Sequence, residues 1–178
     1  GIVEQGNTVS DYDAEEIKRK LSISLSVNPF KYKNTKINLI DTPGFYDFEG
    51  EQNSALSASD TAIIVVTSKT TVSVGTEKAM LKCRLQNKPV VFFNLGLDDE
   101  NADFYTTLNQ LYEKFGESFI VPAQLPIIEN GRLVGAVDVM DGKAYKFNPD
   151  GTHTHCESPA DVEEKRGEYR SKMLELIA

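Results

Sequence analysis

The stretch Ile37-Asn38-Leu39-Ile40-Asp41-Thr42-Pro43-Gly44-Phe45-Tyr46-Asp47-Phe48 constrains this chain more than any other. Mostly apolar positions end abruptly in Asp-Thr-Pro-Gly, which predicts a buried strand that stops and releases a tight polar loop at its carboxyl end. Open α/β sheets bind ligands at that end of their strands. A carboxylate at such a strand mouth can hold a hydrated Mg²⁺ through water, and the glycine that follows lets a backbone N–H come close to a terminal phosphate. By itself Asp-x-x-Gly marks only a turn in most chains, because two of its four positions are free.

The rest of the chain predicts a fold around that strand. Thr61–Thr67 and Pro89–Phe93 are continuous apolar runs of strand length, the pattern of parallel strands buried on both faces, and Ser118–Pro122 reads as a further core strand. Between them Thr76, Ala79, Met80 and Cys83 recur at helical spacing. Phe104, Leu108, Leu111 and Phe115 do so again, with Asn101 available as a cap and Gly116 as a stop. Ser22–Val27 and Phe30–Tyr32 alternate apolar and polar residues, so residues 22–32 and 36–41 form an antiparallel edge hairpin. Residues 1–16 read as loop and residues 49–58 as a mobile helix rich in small side chains. The expected fold class is α/β, with a mostly parallel sheet from 36–41, 61–67, 89–94 and 118–122 flanked by helices. From residue 126 the pattern changes to short strands punctuated by Asn130-Gly131 and Asp141-Gly142, both hairpin signals. A last helix begins after Ser158-Pro159, with Val162, Tyr169, Met173 and Leu176 or Ile177 on one face.

Composition narrows the class. No apolar run approaches ~20 residues, so the chain reads as soluble, and no signal peptide is visible at its start. The net charge of −8 argues against broad nonspecific binding to nucleic acid. Cys83 and Cys156 lie far apart without metal-like spacing, and Cys83 falls on a helix face as a small core residue. A reduced, cytoplasmic compartment follows as the default. His153 and His155 lie in a segment, Asp150–Cys156, that reads as a solvated loop rather than a metal site, which needs three or four convergent ligands.

The run Lys36–Gly44 continuing into Asp47-Phe48 resembles the switch II region of translational GTPases, above all elongation factor G and its elongation-factor-G-like relatives. Val74-Gly75-Thr76-Glu77-Lys78-Ala79, Asn101-Ala102-Asp103-Phe104 and Gln124-Leu125-Pro126-Ile127 are similar to the same family, in its order. The resemblance implies a P-loop-NTPase-like fold, with residues 1–125 a partial GTPase core and 126–178 a small α+β insert subdomain of the elongation factor G type. It implies a GTPase in the intact protein, in which water attacks the γ-phosphate and catalysis comes from positioning and charge neutralisation. Mg²⁺ and GTP or GDP would be the cofactors and the ribosome the partner, with no membrane and no sequence-specific nucleic acid. The nucleotide would be met by Asp41, Thr42, Pro43 and Gly44, and at the base loop by Asn94 and Asp98. Asp41 and Ser22 would serve the metal: Arg19-Lys20-Leu21-Ser22 falls on the family's Arg-Gly-Ile-Thr, whose threonine hydroxyl coordinates Mg²⁺. The other reading of Ser22 is a polar residue on the solvent face of a strand.

Three departures from the family's pattern matter. The phosphate-binding signature Gly-x-x-x-x-Gly-Lys-Ser/Thr occurs nowhere in the 178 residues, and the family places it upstream of residue 1. Either the chain is a fragment of the GTPase domain, or the protein lacks its phosphate cradle. Phe45 occupies the slot usually held by a water-orienting histidine and has no donor or acceptor, which leaves the catalytic residue unassigned. In the family's Asn-Lys-x-Asp base loop the aspartate slot holds Asp98, but Leu95 and Gly96 replace the asparagine and lysine. Asn94 sits one position early, where a strand slip turns it to the opposite face unless a bulge restores it. Two functions remain: a GTPase-domain piece of a ribosome-associated translation factor, or a nucleotide-free scaffold with a GTPase-like fold. The 178-residue chain alone is expected to bind no nucleotide tightly and to be inactive. Titration calorimetry with Mg·GTP checks this, and a dissociation constant below ~1 μM, roughly 8 kcal/mol, would contradict it.

Overall fold

Asp13 and Glu16 form a capping box, in which Asp13 accepts the Glu15 N–H at 2.8 Å and Glu16 accepts the Asp13 N–H at 3.1 Å. These bonds satisfy donors that a helix start leaves open, and α1 (Ala14–Arg19) follows. The expected loop over residues 1–16 therefore ends in the first turn of a helix. The computed structural model describes residues 1–68, 72–100 and 102–177.

Strand β1 (Ser26–Tyr32) pairs antiparallel with β2 (Thr35–Asp41), and Ser26 stands opposite Asp41. The hairpin turns at Lys33, whose φ of 52° lies in the left-handed region. The strand begins at Ser26 and not Ser22, because the amides of Ile23, Ser24 and Leu25 donate to side-chain carboxylates instead of a ladder. β1 and β2 make a two-stranded sheet of their own, and most of their residues are exposed. Strand 36–41 thus pairs antiparallel with β1 as expected of the hairpin, but in a two-stranded sheet instead of within the mostly parallel sheet also expected of it.

After α2 (Glu49–Ala58), β3 (Ala62–Thr67), α3 (Val74–Leu85) and β4 (Val90–Leu95) form a strand–helix–strand unit. Ala62 N–H donates to Pro89 O at one end of the pair and Ser68 N–H to Leu95 O at the other, so β3 and β4 advance together as parallel strands. Ile64 and Val66 are buried, whereas Ile63, Val65, Val91, Phe93 and Leu95 are exposed. The pair is covered on one face only, where the apolar runs predicted cover on both. The expected core strand over 118–122 is absent: Glu117–Phe119 is a single 3₁₀ turn. It follows Gly116, whose φ of 96° breaks the chain direction, and whose carbonyl accepts the Phe119 N–H.

Helix α4 (Phe104–Phe115) buries Leu108, Leu111 and Phe115 on the predicted face and stops at Gly116. Its cap is Asp103, which accepts the Tyr105 N–H; Asn101 lies outside the described residues. Four antiparallel strands follow, β5 (Gln124–Glu129), β6 (Arg132–Asp138), β7 (Ala144–Phe147) and β8 (His153–Cys156), in that spatial order. Positive φ at Asn130 and Gly131 closes the first of these hairpins as the Asn-Gly pair predicts. A Cβ on Gly135 would lie 2.1 Å from Tyr145 O, so β6 and β7 approach too closely for any other residue. His153 and His155 belong to β8, correcting the expected loop, and both pack against the Tyr145 ring.

Residues Gly1–Ile64 with Val74–Phe93 form one compact unit, and Val65–Ser73 with Asn94–Ala178 a second. In the second, Leu125, Ile127, Val137, Val139 and Ala144 of the sheet meet Val162 of α5 (Ala160–Ile177), with Tyr169 and Met173 packed against them. Leu176 and Ile177 are exposed, so the apolar face of α5 stops at Met173. Leu125 is 0% exposed, and Leu125→Ala should cost ~2–5 kcal/mol in urea unfolding. Leu85→Ala, at an exposed position, should change stability by less than ~0.5 kcal/mol.

Candidate nucleotide-binding site

Asp41 is the last residue of β2 and is half-buried, Thr42 beside it likewise, and Pro43 is fully buried. The buried proline anchors a loop whose next residue, Gly44, is exposed. A Cβ at Gly44 would meet no atom within 4 Å, and the position is not left-handed, so nothing in the chain's own packing demands glycine there. Pro43 O accepts the Gln52 side-chain amide at 2.8 Å, which ties the loop to α2. Lys82 of α3 donates to Gln52 Oε1 at 2.9 Å and pairs with Glu49 at 3.0 Å. The Lys82 ammonium holds the Glu49 carboxyl below its usual range, against a smaller opposing effect of burial. Tyr46 is fixed by Lys78, whose Nζ lies 3.5 Å from the ring centroid. Phe45 is 59% exposed and presents only hydrocarbon to solvent.

Ser22 is half-buried in a segment that is neither helix nor strand, which removes the reading as a solvent-facing strand residue. Its hydroxyl donates to Asp11 Oδ1 at 2.6 Å. Immediately after it, Ile23 and Ser24 both donate their N–H groups to Glu16 Oε1, at 2.9 and 3.0 Å, and Leu25 donates to Glu51 Oε2 at 2.8 Å. Because Ser26 faces Asp41 across the hairpin, this segment enters β1 at the end where Asp41 leaves β2. A shallow depression lined by Pro29, Phe30, Lys31, Asn34 and Lys36 lies at the hairpin's opposite, turn end.

Asn94, in β4, shares the half-buried side of the strand with Phe92, away from Phe93 and Leu95. Its Oδ1 accepts the Ser68 hydroxyl at 2.7 Å, so it joins the carboxyl ends of β3 and β4. Gly96 then turns the chain with φ 76°, and a Cβ there would sit 2.7 Å from Asp99 Oδ2. Asp98 follows in this turn and is exposed. Among the described residues no three His, Cys, Asp or Glu side chains gather as a metal site, and burial pushes the Cys83 thiol above its ordinary range.

Glu16, Glu51, Gln52, Asp11 and Ser68 escaped the sequence reading. The spacing Asp13-x-x-Glu16 was a legible capping signal, whereas the partners of Glu51 and Gln52 come from distant parts of the chain and leave no local pattern. Glu16 is 1% exposed. Burial opposes its charge, but the N–H donors of Ser24, Ile23, Asp13 and Tyr12 together outweigh it and hold the carboxyl below its ordinary value of 4.5. A depressed carboxyl stabilises the fold fully above its unfolded value, and that stability is lost as pH falls through the folded value. Glu16→Gln should therefore flatten the loss of stability as pH falls below the ordinary carboxylate value of 4.5, followed by chemical unfolding at each pH.

Residues 1–169 match the family described as elongation factor Tu GTP binding domain. The chain is 34% identical to elongation factor G of Granulibacter bethesdensis over 98% of its length and 26% of that protein's. It is 32% identical to the elongation factor G-like protein of Thermotoga maritima, over 99% of the chain and 25% of that protein. A crystal structure from Thermus thermophilus superposes with a TM-score of 0.90 at 34% identity, covering 98% of this chain and 26% of that one. The chain thus spans about a quarter of the length of these relatives.

Proposed function

We infer that this chain, which belongs to the elongation factor Tu GTP binding domain family, is GTPase-domain sequence of an elongation-factor-G-like translation factor that hydrolyses GTP on the ribosome. The observation that carries this reading is the break of β2 into a buried Pro43 and a Gly44 surrounded by open space. That space is where a backbone N–H can meet a phosphate oxygen, and Asp41 just before it can hold Mg²⁺ through water. Ser22 fits the same ion, since its proton is already given to Asp11 and its oxygen lone pairs remain for a cation. Bound Mg²⁺ neutralises charge on the transferred phosphoryl group. Thr42 and Pro43 shape the loop, and Gln52 fixes it by the Pro43 carbonyl. Asn94 positions the base loop through Ser68, and Asp98 faces guanine without an asparagine or lysine beside it. Phe45, exposed and apolar, orients no water. The phosphate cradle is not supplied by these 178 residues, so activity belongs to the intact protein.

We assign residues 1–125 to the partial GTPase core and 126–178 to the insert subdomain, and place the protein in the cytoplasm. Among the described residues no helix is long and apolar enough to cross a membrane. In the intact protein Asp41→Asn should weaken Mg²⁺-dependent GTP binding ~10–100-fold by calorimetry, and unchanged affinity would overturn the metal assignment. Asp98→Asn should give no clean switch to xanthosine triphosphate, because Leu95 and Gly96 stand where an asparagine and a lysine would hold and shield that carboxylate, which is exposed. An intact wild-type protein that binds neither GTP nor GDP would instead be a nucleotide-free scaffold.

A further inference from the structure

Two adjacent residues of α2 reach the two backbone segments that carry the proposed metal-facing groups. Glu51 Oε2 accepts the N–H of Leu25, three residues after Ser22, at 2.8 Å. Gln52 donates to the carbonyl of Pro43, two residues after Asp41, also at 2.8 Å. The Ser22 segment has no ladder to hold it: among the described residues its other hydrogen bonds include those to the Glu16 carboxylate, that of the Leu21 N–H to the Glu16 carbonyl, and the Ser22–Asp11 bond. Gln52 is itself fixed by Lys82, which also pairs with Glu49 one turn back on the same helix.

We propose that Glu51 and Gln52 are paired positioning residues, and that α2 sets the separation of Ser22 from Asp41 by gripping Leu25 N–H with one and Pro43 C=O with the other. A cation shared by Ser22 and Asp41 is sensitive to that separation, because Mg²⁺ tolerates little departure from octahedral geometry. A charged acceptor suits the Glu51 position, since a hydrogen bond to a carboxylate is about twice as strong as a neutral one. The metal-related half of this proposal rests on the functional reading above; the mechanical half does not.

The test uses the intact protein with Glu51→Ala, Glu51→Gln and Gln52→Ala. Alanine is a better helix former than either native residue, which offsets part of the loss of Glu51's charge from the first turn of α2 and of the Lys82 bond from Gln52. Without nucleotide, Glu51→Ala should raise amide exchange ~10-fold not only at residues 23–25 but also at 44–48, and Gln52→Ala should do the same in reverse. Glu51→Gln, which keeps a neutral acceptor oxygen, should restore about half of the protection. With GTP, Glu51→Ala should raise the Mg²⁺ concentration for half-maximal binding ~10-fold and Glu51→Gln by much less. Exchange changes confined to the mutated end, or a Glu51→Gln variant no better than Glu51→Ala, would overturn the proposal. If the wild-type protein fails to bind GTP, the functional reading falls, while the exchange measurement still decides the coupling.

Discussion

Three consecutive backbone amides, those of Ile23, Ser24 and Leu25, are taken by the carboxylates of Glu16 and Glu51, and the first unit of this protein depends on that capture. Amides that leave a strand ladder must bond water or a side chain, and here, with Ile23 and Leu25 half-buried and Ser24 exposed, carboxylates take all three. A strand partner would have solved the same problem by extending the hairpin. Using side chains instead ends the ladder at Ser26 and leaves the Ser22 segment irregular, fixed by α1 from one direction and α2 from the other. Glu16 does this while also closing the cap of its own helix, so one buried carboxylate serves both the start of α1 and the path of the chain beyond it.

The same helix that takes Leu25 takes Pro43, and its neighbour α3 steadies it through Lys82. Around Asp41 polar ties join elements distant in sequence, beside a buried Pro43 and the buried Ala55 and Leu56 of α2. The second unit is built the other way. Its sheet and α5 enclose Leu125, Ile127, Val137 and Val139 at near-zero exposure. Segments held by a few polar ties open at low free energy, and ligand-binding loops are drawn from such segments.

β3 and β4 show why an apolar run does not fix burial. Their sequences are apolar on both alternating sets, yet within the described residues only Ile64 and Val66 of β3 are buried, and Ile63, Val65, Val91 and Phe93 face outward. A side chain's affinity for a dry environment is a property of the sequence, but whether anything lies over it is a property of the assembled fold. The segment 118–122 makes a similar point. Its residues favour a strand, but Gly116 at φ 96° and the bond from Phe119 N–H to Gly116 O bend the chain into a single turn.

What the sequence determined by itself was everything governed by near neighbours. The stop of β2 at Asp-Thr-Pro-Gly, the apolar face of α4, the Asn130-Gly131 turn and the α/β alternation follow from periodicity and turn chemistry acting over a few residues. The family was legible because those short runs keep their order along the chain. Only the tertiary structure decided that Ser22 leaves the strand, that Asn94 bonds Ser68, that His153 and His155 pack on Tyr145, and that Glu51 and Gln52 bridge two loops. Each of those contacts joins residues separated by between 8 and 26 positions. No local pattern encodes such a partner, because which groups meet is set by how the elements pack and by the cost of leaving a buried polar atom without a bond.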